Sequence, residues 1–323
     1  MRRAKVIAFR SEQPATWQEL LEEFLTFKRA QGRSPRTLQD YDGTVNLFFK
    51  RYPLAWNSPN LKMHLMDFLT KSKCPATYNI RLAYLKCFFS WLVDEEIVSA
   101  NPLSDFKQRK ESPRIVNIAP KILKELLTLP KLSTYSGMRD YALLLLHLDT
   151  GIRPLEALTL LPSDFNYRGR EVTIRAENAK TRISRTLPLS DITAKAIRKL
   201  LEIRPSKWNG ESPIYANWEG NVMRVETWAQ RVKELYAIKL GVSLRPYDLR
   251  HAFALNFLRN GGNVFALQRI MGHSNLDMTK RYLALTQGDI QGEHAKSSPL
   301  TKIAGRKARA VRLGTGREES DED

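Results

Sequence analysis

The chain has 323 residues, 42% of them hydrophobic, with only 16 glycines and 16 prolines, which is enough apolar material for the cores of two domains. That composition excludes wholesale disorder and collagen-like repeats. Fifty-two Lys and Arg against 34 Asp and Glu leave a net charge of +18, a balance that suits a polyanion, with nucleic acid phosphate the commonest candidate and a membrane surface or ribosomal site giving the same signal. The longest apolar run, Tyr141 to Leu146, is far short of the roughly 18 to 20 residues that cross a bilayer, and the first ten residues lack a signal-peptide core. A cytoplasmic protein without a membrane span is expected. Cys74 and Cys87 are too few and too widely spaced for a disulfide framework or a zinc cluster.

Trp17, Leu20, Leu21, Phe24 and Phe27 define a first helix that stops near Gly32. Ser34-Pro35 caps a second over Thr37 to Tyr52, where Leu38, Tyr41, Val45, Phe48, Phe49 and Tyr52 recur mostly three or four apart. Another runs from Ala76 to about Val93, so residues 16–104 read as a small all-helical domain. Residues 105–117 follow as a basic linker, with Lys107, Arg109 and Lys110 free to meet phosphate. The second domain, residues 118–290, opens with helices at Lys121 to Leu127 and Gly137 to Asp149. A β hairpin follows, from Glu171 to Arg175 and Ile183 to Leu189, and helices resume at Asp191 to Leu201, Val222 to Lys239, Tyr247 to Asn260, Val264 to Met271 and Leu276 to Leu283. The fold class is therefore mainly α, a helical domain followed by a mostly helical domain with a small antiparallel sheet. In the tail, 291–323, the basic stretch to Arg312 reads as a docking element and the acidic end as a frayed terminus.

No P-loop, Gly-x-Gly-x-x-Gly, His-Glu-x-x-His or paired Cys-x-x-Cys occurs, which disfavours nucleotide-driven and zinc-dependent chemistry. Cationic and hydroxyl residues instead collect at helix starts and loop ends. They are Thr150 to Glu156 with Arg153, Lys180 in the β turn, Tyr247-Asp-Leu-Arg250-His251, Gly272-His273 and Tyr282. Such a set suits a phosphodiester: forked guanidiniums grip nonbridging oxygens, a lysine protonates a departing alkoxide, a histidine holds a proton and a tyrosine attacks. Taken singly, each has a plainer reading as a surface ion pair, a core aromatic or a solvated lysine.

Their order and spacing resemble the tyrosine recombinase, or phage integrase, family. The family's Thr-Gly-x-Arg-x-x-Glu box is matched by Thr150-Gly-Ile-Arg-Pro-Leu-Glu156, and its His-x-Leu-Arg-His box by Tyr247-Asp-Leu-Arg-His251 except at the first position. Met271-Gly-His273 matches Leu-Gly-His, Tyr282 follows nine residues later, and Lys180 stands eight residues before the proline of Leu187-Pro188-Leu189. In the first domain, Phe24-Leu-Thr-Phe-Lys28, Gly32-Arg-Ser-Pro-Arg-Thr37 and Tyr41 match the pattern of the family's helical, SAM-like core-binding domain. About fifteen residues precede the match, too few for an additional arm-type DNA-binding domain.

The resemblance implies a site-specific recombinase that needs no metal, cofactor or ATP and works on double-stranded DNA, as a tetramer on two sites. Integration, excision and resolution remain open, as do any accessory protein and two other readings: a type IB topoisomerase-like enzyme and a catalytically impaired DNA-binding protein. By the same analogy Tyr282 attacks to give a 3′-phosphotyrosyl link, Arg153 and Arg250 clamp the phosphate, Lys180 protonates the 5′ oxygen and His273 hydrogen-bonds the phosphate. Glu156 is read as fixing neighbouring cations. Tyr247 departs from the family's histidine, and a phenol with a pKa of about 10, against about 6.5 for imidazole, is a poor base at neutral pH. It is expected to orient the phosphate or the nucleophile, leaving base duty to His273 or water. His251 and His147 are read as packing residues.

Overall fold

The computed structural model describes residues 16–111, 117–179, 181–286, 294 and 298–300. Lys180 and most of the segment read as a docking element lie outside the described residues. The chain divides between Pro113 and Arg114 into two compact units.

The first unit is built from α1 (Trp17–Ala30), α2 (Pro35–Arg51), α3 (Leu61–Thr70) and α4 (Pro75–Asp94). Thr16 Oγ1 accepts from the Glu19 amide at 3.3 Å while the Glu19 carboxylate accepts from the Thr16 amide at 2.8 Å, a capping box that fixes the start of α1. Ser34 caps α2 through the Thr37 amide, with Pro35 in the first turn. Phe24, Val45, Phe48, Phe68, Leu85 and Phe88 are fully buried between the helices, and the Phe24 ring meets those of Tyr41 and Phe88 edge-on at 5.1 and 5.4 Å. α3 escapes sequence reading because Leu65, Phe68 and Leu69 face the core while Met63 and Met66 are exposed, which blurs the helical period.

The segment after α4 corrects the expected free linker. Leu103 is fully buried, Asn79 accepts from the Arg109 amide at 2.8 Å and donates to the Arg109 carbonyl at 2.9 Å, and the Arg109 guanidinium lies 3.9 Å from the centre of the Tyr78 ring. Residues up to Glu111, whose carboxylate also accepts from Asn79 at 2.6 Å, thus belong to the first unit, and Arg109 is held against α4.

The second unit contains α5 (Pro120–Thr128), α6 (Tyr135–Thr150), α7 (Pro154–Leu158), β1 (Phe165–Asn166), β2 (Glu171–Ile174), β3 (Arg185–Pro188), α8 (Asp191–Glu202), α9 (Val225–Arg231), α10 (Pro246–Arg259), α11 (Val264–Met271) and α12 (Asp277–Thr286). The apolar α6 runs through its core, packed against α8 and α10. The strands form an antiparallel meander in the order β1-β2-β3, with Val172 opposite Leu187 and Ile174 opposite Arg185. Because side chains alternate along a strand, Arg185 shares its face with the buried Leu187. α11 packs on β3, and α12 on α10 and α11.

The helix expected over Val222 to Lys239 starts later and changes pitch along its length. Asn217 Oδ1 accepts from the amides of Glu219 and Asn221, holding that stretch in a turn, so α9 starts only at Val225. After Arg231 the chain widens into a π-helical turn, Val232–Ala237; Arg231 just before it and Tyr236 within it both reach the fully buried Asp140, the latter at 2.6 Å.

α6 ends in Gly151, at φ +60°, where an added Cβ lies 2.4 Å from the Phe253 ring of α10. Gly151→Ala is therefore expected to destabilise the second unit by about 2–4 kcal/mol, from the left-handed backbone and the overpacked ring together. Denaturant unfolding checks this, and a midpoint unchanged from wild type contradicts it.

Candidate active site

The loop after α6 is built by its own polar groups. Thr150 Oγ1 donates to the Leu146 carbonyl at 2.7 Å and accepts from the Ile152 amide at 3.2 Å. The Trp228 indole donates to His147 Nε2 at 3.2 Å, so the imidazole proton resides on Nδ1 and goes to the Ile152 carbonyl at 3.1 Å. Burial, reinforced by the charge of Arg250 and opposed by the Ile152 carbonyl, holds the His147 pKa down to about 4. His147 is thus a neutral brace that fixes the loop from which Arg153 projects.

Three guanidiniums converge on the C-terminus of α11. Arg185 Nε donates to the Ile270 carbonyl at 3.3 Å, Arg250 Nη2 to the Met271 carbonyl at 2.8 Å and Arg153 Nη2 to the Gly272 carbonyl at 2.9 Å. They take up carbonyls that a helix end leaves without intrahelical partners, where the helix also carries partial negative charge. Arg250 additionally donates to the Gly151 carbonyl, so it joins the ends of α6 and α11. Gly272 supplies the left-handed turn (φ +60°) that aims these carbonyls, and an added Cβ there lies 2.9 Å from the Arg185 guanidinium carbon.

Glu156, 2% exposed, is the counter-ion for two of the three. It pairs with Arg185 at 2.6 Å and Arg153 at 3.0 Å, and it also accepts from the Arg153 amide at 3.2 Å at the start of α7. Burial pushes its pKa up, but the hydrogen bonds and charges of Arg185 and Arg153 outweigh this and hold it below the usual carboxylate range. Glu156 therefore fixes cations, as the sequence suggested. No ion pair to Arg250 occurs among the described residues, so the cluster carries positive charge in excess of its carboxylate. Arg250 is 4% exposed, and burial together with Arg153 draws its pKa down to about 10, leaving it charged at neutral pH.

His273 and Tyr282 join this cluster. The Arg250 guanidinium donates to His273 Nε2 at 3.0 Å, and Nδ1 donates to Thr279 Oγ1 at 2.9 Å. Burial, then the charges of Arg250, Arg153 and Arg185, hold its pKa down to about 4, so His273 is neutral at pH 7. Tyr282, on α12, is 5% exposed and packs with Phe253, Leu255, Leu267 and Met271. Its hydroxyl lies 2.7 Å from His251 Nδ1. Beside the cluster opens a cleft of about 850 Å³ whose walls include Arg153, Arg185, Arg269, His273 and Ser274.

The structure thus brings Arg153 and Arg250 onto neighbouring carbonyls at the end of α11, with Arg250 bonded directly to His273, and places Tyr282 within electrostatic reach of Arg250. Tyr247, in the first turn of α10, is 51% exposed and has no hydrogen bond to the cluster among the described residues. Sequence reading missed Arg185, whose signal was a charge on the inward face of a strand, and the His251 contact, which exists only because α12 packs on α10.

This helical unit with a guanidinium cluster and an adjacent tyrosine has the parts of a phosphodiester-handling site. The sequence model of the phage integrase family matches residues 117–288. The chain belongs to that family, the tyrosine recombinases. It is 27% identical over 289 residues to the tyrosine recombinase XerC of Thermodesulfovibrio yellowstonii, covering 85% of this chain and 94% of that protein. With the XerC of Actinobacillus pleuropneumoniae serotype 7 it shares 31% identity over 209 residues, 64% of this chain and 67% of the relative. Among solved structures, the fold is similar to that of the XerH site-specific recombinase bound to palindromic difH substrate, with a TM-score of 0.65, 20% identity and coverage of 87% of this chain and 84% of that one.

The two neutral histidines set an acid limit. Above pH 6.5 His147 is uncharged both folded and unfolded; between about 6.5 and 4 the unfolded chain binds a proton that the folded chain refuses. Unfolding free energy is expected to fall through this residue by about 1.4 kcal/mol per pH unit in that window. Denaturant titrations of wild type and His147→Gln at pH 7.5, 6.5 and 5.5 check this: the variant is expected to be weaker at pH 7.5 and to lose less below 6.5, and parallel slopes contradict the assignment.

Proposed function

We propose that the chain is a site-specific recombinase that cuts and rejoins double-stranded DNA through a 3′-phosphotyrosyl bond to Tyr282. The observation that carries this reading is a cluster of guanidiniums in excess of the carboxylate paired with them among the described residues, with Tyr282 within electrostatic reach of Arg250 and its hydroxyl on His251, the next residue of α10. A phosphate drawn into the cluster replaces helix carbonyls as the acceptor for the forks of Arg153 and Arg250, which then hold the nonbridging oxygens as charge builds on phosphorus. Oη of Tyr282 attacks, the bond from phosphorus to the 5′ oxygen breaks, and Lys180 gives that oxygen a proton. The ester keeps the energy of the broken bond, so rejoining by the 5′ hydroxyl needs no ATP. An arriving phosphate also offsets the arginine charges that depress His273, raising its pKa and enabling it to donate to the phosphate. Tyr247 contributes an orienting hydrogen bond at most.

The net charge of +18 supports a DNA partner through counterion release, as do the DNA complexes of structural neighbours such as the Tn1549 transposon integrase with transposon right end DNA (TM-score 0.64, 18% identity, 88% of this chain and 99% of that one). Action as a tetramer on two DNA sites, for integration, excision or resolution, completes the proposal.

The test is capture of covalent adducts from detergent-stopped mixtures with sheared source DNA, followed by sequencing of the attached ends. Wild type is expected to leave adducts at one short site, Tyr282→Phe none, and Arg250→Lys, which keeps the charge but loses the fork, adducts forming about 10²- to 10³-fold more slowly. Specific DNA binding with no adduct from wild type overturns the proposal.

A further inference from the structure

We infer that His251 is the group that takes the proton from Tyr282 when it attacks, an inference that rests on the recombinase reading above. His251 Nδ1 lies 2.7 Å from Tyr282 Oη, the reach required of a general base, and the two rings stand 5.7 Å apart at 45°. The contact is made across two elements, α10 and α12, that pack directly on each other, so the pair is set by the core of the unit. Tyr282 as a whole is 5% exposed, which limits the access of bulk water as a proton acceptor.

The other imidazole of the cluster is already committed. His273 receives the Arg250 guanidinium on Nε2 and donates to Thr279 from Nδ1, so in this arrangement neither ring nitrogen is left to accept from a tyrosine. Three guanidiniums around His273 make it a poor base, whereas His251 looks out from the next position on α10, on the tyrosine side. Tyr247, one helical turn before His251, is a phenol and 51% exposed. The step balances as follows: neutral His251, with its own proton on Nε2, accepts the Tyr282 hydroxyl proton at Nδ1; the new bond forms between Oη and phosphorus; the 5′ oxygen leaves with the proton from Lys180. Rejoining runs in reverse, and His251 returns the proton to Oη.

The experiment uses the full chain on a duplex carrying the cleavage site recovered from adduct sequencing, under single-turnover conditions with protein saturating. His251→Gln and His251→Ala are compared with wild type on an ordinary phosphodiester and on one with sulfur in place of the 5′ bridging oxygen, whose thiolate leaves without a proton. Both variants are expected to bind the duplex as wild type does and to form adduct about 100-fold or more slowly on both substrates, because sulfur repairs a missing acid and not a missing base. Glutamine keeps a polar side chain of similar reach but cannot take the proton, so it decides the matter if alanine fails to fold. A rate within threefold of wild type, a rate above it, as a latch holding Tyr282 back gives, or recovery on the sulfur substrate overturns the inference while leaving the recombinase reading intact. Absence of adduct from wild type itself removes both.

Discussion

The C-terminus of α11 is the constraint on which the site depends. Its last carbonyls stand in for an anion, holding Arg185, Arg250 and Arg153 in place from β3, α10 and the loop after α6. Glycines in the left-handed conformation at positions 151 and 272 end both helices whose carbonyls Arg250 ties together. Buried guanidiniums are costly to desolvate, and they are tolerated here because carbonyls and the Glu156 carboxylate satisfy their donors. The guanidiniums are therefore already positioned when a phosphate replaces the carbonyls, which limits the reorganisation that stabilising developing charge would otherwise require.

Charge in this site is kept uneven by the histidines. His147 and His273 are both held neutral, the first by burial against Trp228 and the second by burial among arginines, so neither adds to the repulsion within the cluster. Among the described residues Glu156 is the carboxylate that positions Arg153 and Arg185, and the excess of positive charge around it attracts an anion. The tyrosine hydroxyl sits at the edge of that field, against His251.

Much of this was legible in the sequence because the boxes that resemble the family's coincide with local structural signals. Thr150-Gly151 is a helix end, Pro246 a helix start and Gly272 a second helix end, so the spacing of Arg153, Arg250 and His273 follows from turns that short-range chemistry dictates. What the sequence concealed depends on contacts between elements distant in the chain. Arg185 acquires its place from strand register and from α11, His251 from the packing of α12, and Arg109 from an asparagine on α4. α3 was hidden because methionines occupy its outer face, and β1 is only two residues long.

If the cation cluster serves a phosphate attacked by Tyr282, the trapped adduct records which residue attacked. The most direct measurement trims a trapped protein–DNA adduct with nuclease, digests it with trypsin and weighs the peptides. A residual nucleotide, joined through its 3′ phosphate, is expected on the peptide that begins at Tyr282 after cleavage at Arg281, as attack by Tyr282 requires. A nucleotide on any other residue, or one joined through a 5′ phosphate, contradicts it.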